Sequence, residues 1–485
     1  MNQELAEILG HPVLEPQHLT DLGNAKRLVE LHGADFRYCG KLDQVFYWMG
    51  TRWVPDVTGR LNEFAEDVVQ SIYLDATVMQ AEAATGPGAT PNQRQNLSKQ
   101  AESISKWARQ SENNARINAM IAMAKLRHDV QIEPDAWDAN PMLLNCQNGT
   151  VNLQTRTLQP HDPNDFLTKI CNCDYDTHAG YVVWDEFLER IIPDESLRSY
   201  LQRALGYSIT GLTIEEKLFL PWGPPATGKS TLFRAVVEAL GDYAAVAGAE
   251  TFGEQKPTGD APRSDIARLA DKRMVLAMEL PGNQRMATAL LKQITGGDIM
   301  VARHLYHKHF QFVPISKPWL ASNSRPVIVD DDPGIWRRVS QIPFEQEIPE
   351  TERDPGVKLA LMDHEIASPA ILKWLVDGCA QWRQLGLGTP QVVRDATASY
   401  KEGMDRIQSF QDDECMEDEN LICPNPAMWN RYLAWCQWNG ESPLSRTGFS
   451  LRLKAKGFKQ IRDSTTRYWI GIGLTSDPQY RESLL

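Results

Sequence analysis

Hydrophobic spacing along the chain switches between a period near 3.6 and a period of 2, and the switches mark out its elements. Residues 20–33, TDLGNAKRLVELHG, open on a helix-start signal, and residues 45–56, VFYWMGTRWVPD, read as a small hairpin around Gly50. Helical spacing holds over 62–79 and 97–126. Between them, 81–95 (AEAATGPGATPNQRQ) is mostly small and polar with Gly and Pro at its centre, which predicts a loop or hinge. Residues 147–157, QNGTVNLQTRT, have the Asn-Gly turn and alternation of a second hairpin. Trp184, Phe187, Ile191 and Leu201 recur at helical spacings and predict a helical collar ahead of an apolar segment starting at Leu218. Further on, 360–382 and 394–410 are helical, and the acidic run DDECMEDEN, ending at Asn420, reads as a solvated linker. From Pro424 two helices, 428–440 and 445–457, precede a hairpin at 458–474, the order of a winged helix.

Composition narrows the picture. The 485 residues suffice for two to four domains, and a net charge of −13 excludes a polycation that coats nucleic acid, so any DNA contact is confined to local basic surfaces. The eight cysteines are scattered, with only Cys171 and Cys173 close together, which argues against a zinc site or disulfide framework and fits a reducing compartment. The first residues lack the basic start and apolar core of a signal peptide, and no apolar run approaches the roughly 20 residues of a membrane span. A cytoplasmic protein with no membrane partner is expected.

The apolar segment at Leu218 runs into WGPPATGKSTLF, where Gly223, Gly228, Lys229 and Ser230 stand at the spacing GxxxxGK[ST]. Between a strand and a helix, such a loop wraps backbone N–H groups around phosphates, with Lys229 reaching the β/γ oxygens and Ser230 joining a Mg shell. Thr227 and Thr231 belong to the same ATP-binding turn, whose helix presents its positive end to the phosphates. In KRMVLAMELPG an apolar strand, expected beside the P-loop, ends at Glu279, the expected water-positioning base and metal-side carboxylate; Met278 stands where many such enzymes have Asp, which leaves more of the Mg shell to Ser230 and water. SKPWLASNSRP brings a second strand to Asn323, placed to touch the γ-phosphate or polarise the water. DDPGIWRRVSQIPF sets Arg337 and Arg338 before another strand, with Arg338 read as a finger for the neighbouring subunit's site and Arg337 as its support.

Between Glu279 and Asn323, residues 299–303 and 310–314 read as strands flanking a tip, so that Arg303, His304, His307, Lys308 and His309 form a cationic hairpin. Its histidines have no carboxylate or Cys partner at ligand spacing. A solvated tip and a DNA-tracking loop both remain, the cationic tip favouring the second because it can grip one phosphate at a time. In the C-terminal part, Arg446, Arg452, Lys454 and Lys456 lie on the candidate recognition helix, for duplex DNA or for docking another protein.

Taken in order, TDLGNAKRLVELHG, NGTVNLQTRT, LGYSITG, the GxxxxGKS loop, KQITGGD, ASNSRP and GIWRRV resemble the superfamily 3 helicases, most closely the helicase half of the phage and plasmid primase-helicases, which poxvirus NTPases also resemble. The resemblance runs to about Gly386. It implies an α/β fold: a P-loop AAA+ core (213–350) with a helical collar (179–212), a mixed α+β N-terminal domain (1–178), a helical lid (351–413) and a C-terminal winged helix (424–475). It further implies a homohexameric ring hydrolysing ATP between subunits and moving 3′ to 5′ on single-stranded or forked DNA. Family loops usually read like GPGANGKS; Pro225 removes one cradle N–H here, an expected loss of nucleotide affinity. No paired-aspartate polymerase strand is found, so a separate primase is the expected partner. The rival reading is an ATP-dependent initiator or packaging factor without processive unwinding; a nucleotide-controlled assembly protein with no DNA role is a third.

Overall fold

The computed structural model describes residues 17–85, 90–254, 264–279, 284–303, 310–328, 333–440 and 443–475. It is a mixed α/β structure. In the N-terminal region helix α1 (Asp21–His32) starts where Thr20 Oγ accepts from the Gly23 amide, and strands β1 (Phe36–Cys39), β2 (Gln44–Trp48) and β3 (Trp53–Pro55) form an antiparallel sheet. Helices α2 (Arg60–Thr85), α3 (Pro91–Ser111) and α4 (Asn114–Lys125) follow. Of the expected loop at 81–95, residues 81–85 end α2 and 91–95 open α3, while its Gly-Pro-Gly centre at 86–88 lies outside the described residues. Pro91 occupies the first turn of α3, where a missing N–H costs nothing, and Thr90 with Gln93 closes a capping box ahead of it, so this proline near the end of the expected loop starts a helix. A second antiparallel sheet, β4 (Leu143–Cys146), β5 (Gly149–Asn152) and β6 (Thr157–Gln159), contains the second predicted hairpin.

The predicted collar is two helices, α5 (Val182–Ile191) and α6 (Glu195–Ser208). Beyond it, β7 (Leu218–Trp222), β8 (Ala244–Ala247), β9 (Met274–Met278), β12 (Lys317–Ala321) and β13 (Val339–Pro343) build an all-parallel sheet in the order β13-β7-β12-β9-β8. Strand side chains alternate between two cores. Phe219, Leu276, Trp319 and Ile342 pack against α5, α6, α7 (Lys229–Leu240) and, further along the chain, α9 (Ala367–Leu385). Leu218, Leu220, Val275 and Leu320 face the other way, toward α8 (Thr288–Gly296) and Tyr400 of α10 (Gln391–Met404). Between β9 and β12, β10 (Met300–Ala302) pairs antiparallel with β11 (Phe310–Phe312), as the hairpin reading expects; its tip, with His304, His307, Lys308 and His309, lies outside the described residues.

Two buried cations anchor the sheet. The Arg273 guanidinium donates to the carbonyls of Ile209 (2.7 Å) and Leu143 (2.8 Å), and Lys317 Nζ donates to those of Thr210 and Ile315. Burial holds the Lys317 ammonium well below its ordinary pKa.

The acidic run is a correction. Residues Arg406–Glu414 form α11 and Cys415–Pro424 form β14, an edge strand in the order β14-β16-β15 with β15 (Lys459–Arg462) and β16 (Arg467–Leu474). Ile407, Phe410, Cys415 and Cys423 are buried with residues of α12 (Asn425–Trp438) and α13 (Arg446–Ala455), so this small core starts well before Pro424. Glu417, Asp418 and Glu419 sit at an irregularity between Glu417 and Ile422 on the exposed stretch of the strand, which is why they read as linker.

Helices α6 and α9 touch backbone to backbone at Gly206, where a Cβ would lie 2.1 Å from the Cys379 nitrogen and 2.2 Å from the Gly378 carbonyl carbon. Gly206→Ala is expected to cost on the order of 3 kcal/mol of stability by forcing the helices apart. Gly180→Ala, with open space around it, is expected to change it by less than about 0.5 kcal/mol; equal denaturant midpoints for the two variants would show that the contact yields.

Candidate functional site

The carboxyl ends of parallel strands share one edge, and the candidate residues emerge there. From β7 the chain enters the loop 223–228 and turns into α7, whose N-cap, Gly228, has φ +80° and no capping side chain. The first-turn amides of α7 are thus left for an anion. A Cβ on Gly228 would meet Ile191 Cγ2 at 2.5 Å and the Phe187 ring at 3.3 Å, so both backbone conformation and the closeness of α5 require glycine there. Behind the loop, the Ile348 amide donates to the Ala226 carbonyl at 2.9 Å and ties the segment after β13 to it.

Lys229 is buried in the loop. Its Nζ donates to the carbonyls of Gly223 (2.8 Å) and Pro224 (2.8 Å) and to Thr227 Oγ (2.9 Å), and burial pulls its pKa down to about 8. Thr227 is itself buried and donates to the Pro224 carbonyl, so it shapes the loop from within, while Pro225 and Ser230 are exposed and Thr231 is half-buried.

Glu279 follows β9 and Asn323 follows β12, both exposed at the same edge. The sheet order corrects one detail of the sequence reading: β12, not β9, lies beside β7, so Asn323 stands between the cradle and Glu279. Cross-strand bonds fix the trio, Ser322 N donating to the Pro221 carbonyl (3.0 Å) and Glu279 N to the Ala321 carbonyl (3.1 Å). Glu279 has φ +62°, a left-handed conformation that costs a non-glycine residue about 1–3 kcal/mol and turns its side chain away from the path of the strand. With the exposed Ser230 hydroxyl, the Glu279 carboxylate supplies hard oxygen donors of the kind a Mg ion takes. A residue missed in the sequence is Arg325, whose guanidinium stacks 4.3 Å from the Trp222 ring centroid and bonds Gln341 Oε1 at 3.2 Å, behind the Asn323 turn.

Arg337 and Arg338 lie at the opposite edge, immediately before β13. β13 pairs in parallel with β7 over five residues, so roughly 16 Å of strand separates the pair from their own chain's cradle. Arg338 is buried and held by Thr295 Oγ (3.0 Å), the Gly334 carbonyl (2.8 Å) and Glu216 (2.9 Å). Arg337, with 65% of its side chain exposed, shares the Glu216 carboxylate at 3.1 Å.

The four cations expected on the C-terminal helix divide between two faces. Arg446 and Lys454 line a groove with Arg467 of β16. Arg452 and Lys456 line a different cavity, against Trp336, Lys401 and Asp405, and Lys456 Nζ is spent on Asp405 (2.6 Å) and Gln408 (2.7 Å) of the same chain. Helical spacing, with 446, 450 and 454 on one side and 452 and 456 on another, was the available signal. Arg303, at the base of the β10–β11 hairpin, is half-buried.

Three family models match along the chain. Residues 25–193 match the model of D5 N terminal like domains, 222–338 that of a family of unknown function, and 402–469 that of Poxvirus D5 protein-like domains. The chain is 27% identical over 428 residues to "Putative helicase L207/L206" of Acanthamoeba polyphaga mimivirus, covering 82% of this chain and 43% of that protein. It is 26% identical over 340 residues to "Putative helicase 121R" of Invertebrate iridescent virus 3 (64% and 36%), and 29% identical over 211 residues to "Putative primase C962R" of African swine fever virus (42% and 22%). A solved structure of the NrS-1 C terminal region aligns with 95% of the chain at 12% identity and a TM-score of 0.46. The chain carries D5 N terminal like and poxvirus D5 protein-like domains, as the helicase part of the D5-type primase-helicases does, and it spans less than half the length of the relatives it matches. No helix among the described residues is long and apolar enough to cross a membrane.

The depressed pKa of Lys229 gives a signed prediction. Above pH 8 the free loop holds a largely neutral lysine, and a bound triphosphate favours its charged form. ATP binding at pH 9 should therefore take up about one proton and weaken as pH rises further. Calorimetry in buffers of different ionisation enthalpy measures this; uptake that persists in Lys229→Met would place the proton elsewhere.

Proposed function

We propose that this chain is the motor part of a replicative DNA helicase of a virus, phage or other mobile element, an AAA+ ATPase that works as a ring of identical subunits, most simply a hexamer. The observation that carries the reading is the separation of the site's parts between the two edges of one parallel sheet. Lys229, Ser230, Glu279 and Asn323 share the carboxyl edge, while the arginines of the GIWRRV segment stand at the other. The GIWRRV arginines of one chain stand a strand's length from their own cradle, and a neighbour packed head to tail can bring its own pair to it.

Gly223, Gly228 and the first turn of α7, including Thr231, hold the ATP phosphates, Thr227 keeps the loop closed around Lys229, and Lys229 exchanges its carbonyl partners for phosphate oxygens. Ser230 and the Glu279 carboxylate would hold a Mg ion, which when bound would supply neutralisation of the phosphate charge. Glu279 orients the attacking water and accepts its proton, and Asn323 contacts the γ-phosphate between the two. On the arginine pair the geometry favours a division of labour opposite to the sequence reading: exposed Arg337 reaches the neighbour, and Arg338, fixed by Thr295 and Glu216, serves as its mount. Arg303 and the tip with His304, His307, Lys308 and His309 track single-stranded DNA, which moves 3′ to 5′. The C-terminal unit acts as a winged helix whose Arg446 and Lys454 meet duplex phosphates, joined by Arg467, while Arg452 and Lys456 brace it against the core.

The test is subunit mixing. Lys229→Ala alone and Arg337→Ala alone should each lose about a thousandfold or more of DNA-stimulated ATP hydrolysis, and the two mixed should regain a measurable share, because a wild-type cradle then meets a wild-type arginine. Arg338→Ala in the same mixture tells finger from mount. If every mixture stays inactive although the variants co-assemble, hydrolysis is not shared between subunits, and the ring motor is wrong.

A further inference from the structure

We infer that Arg325 is the positioning residue for Asn323, holding the turn that carries it at a fixed place beside the cradle; the inference rests on reading Asn323 as the group that contacts the γ-phosphate. Asn323 is exposed, and its side chain makes no hydrogen bond with the described residues. Its place is therefore set by the backbone on either side. Upstream, Ser322 bridges to Trp222 at the end of β7, and its Oγ closes a local turn, accepting from the Ser324 amide (3.1 Å) and donating to the Ser324 carbonyl (2.6 Å). Downstream, the Arg325 side chain folds back across β7. Its guanidinium lies 4.3 Å from the Trp222 ring centroid and 5.6 Å from that of Tyr400, and it donates to Gln341 Oε1 of β13 at 3.2 Å. Trp222 immediately precedes Gly223, so one stack ties the root of the cradle to the turn of Asn323.

The surroundings make this clip rigid. Gln341 is fully buried, and its own amide donates to Thr397 Oγ of α10 at 3.0 Å; the Tyr400 hydroxyl of the same helix donates to the carbonyl of Pro326, the residue after Arg325. A planar guanidinium suits the task, because on an indole face its fork has a defined orientation that an ammonium lacks. Its chemistry also separates function from stability. Arg325 has no carboxylate partner among the described residues, and its Nε and the Gln341 Nε2 are buried there without a hydrogen-bond partner. Unpaired buried donors destabilise a fold, and replacing such a group by an apolar one of similar volume is often neutral or stabilising. A destabilising group at the root of the cradle fits a positioning role better than a structural one.

The experiment measures ATP hydrolysis, and calorimetric binding of ADP, which lacks the γ-phosphate, on the full chain carrying Arg325→Leu, Asn323→Ala or both. Arg325→Leu should lower kcat at least about tenfold, while ADP affinity and the denaturant midpoint keep their wild-type values. Because Arg325 acts through Asn323, the double variant should be no slower than Asn323→Ala alone. Losses that multiply in the double variant, a wild-type kcat in Arg325→Leu, or a loss of ADP affinity equal to the loss of rate overturns the positioning role. If Arg325→Leu does not fold, Arg325→Lys, which keeps the charge and loses the planar fork, is read by the same criteria; failure of both to fold makes the residue structural and overturns the inference too. A wild-type kcat in Asn323→Ala overturns the γ-phosphate reading of Asn323 itself, and a wild-type chain that hydrolyses no ATP overturns the motor.

Discussion

Two buried basic side chains, without carboxylate partners among the described residues, hold the central sheet in place. Arg273 immediately precedes β9 and Lys317 opens β12, and each reaches carbonyls just past the end of α6, where the helix dipole leaves negative charge. Arg273 also takes the Leu143 carbonyl at the start of β4, so three segments meet at one buried point. Desolvating such groups is costly, and the cost is recovered only while every carbonyl stays in position. The amino ends of the two strands are therefore fixed in register, and parallel pairing carries that register to the far ends, where Glu279 and Asn323 emerge. Precision at the exposed edge is set by a charge buried at the other.

The sheet's polarity then separates roles. Lys317, Arg273 and Arg338, at or just before strand starts, are buried, whereas Glu279 and Asn323, just past the ends of β9 and β12, are exposed. A left-handed non-glycine backbone occurs at both edges, at Glu279 (φ +62°) past the end of β9 and at Glu216 (φ +49°), the carboxylate shared by the two arginines, ahead of β7. The helical pair α5 and α6 links the two ends: α6 ends on the cations, and α5 touches Gly228.

Much of this was legible in the sequence, for local reasons. The GxxxxGKS spacing, the strand ending at Glu279 and the hairpin around residues 299–314 are each encoded within about 20 residues, where periodicity and turn chemistry suffice. Strand order is not local, and the reading that set Glu279 beside the cradle missed the insertion of β12. Two further misreadings came from composition overriding geometry. Pro91 was taken for a loop residue although Thr90 and Gln93 make it a helix start, and Lys456 was grouped with Arg446 and Lys454 by charge although helical spacing sets it on another face. Arg467, distant in sequence and close in the groove, had no local signal.

The acidic edge strand β14 bears on how the molecule behaves in company. An edge strand offers unpaired amides and carbonyls to any other extended chain, and a sheet of three strands is an easy template for a fourth. Glu417, Asp418 and Glu419, with an irregularity in the pairing beside them, line the exposed stretch of that edge with negative charge. A second copy adding its own β14 would bring like carboxylates together, so the residues that disguise the strand in the sequence protect the finished sheet from self-recruitment into aggregates. The protection is electrostatic and fades with ionic strength, which makes salt the condition under which this small unit is most prone to clump.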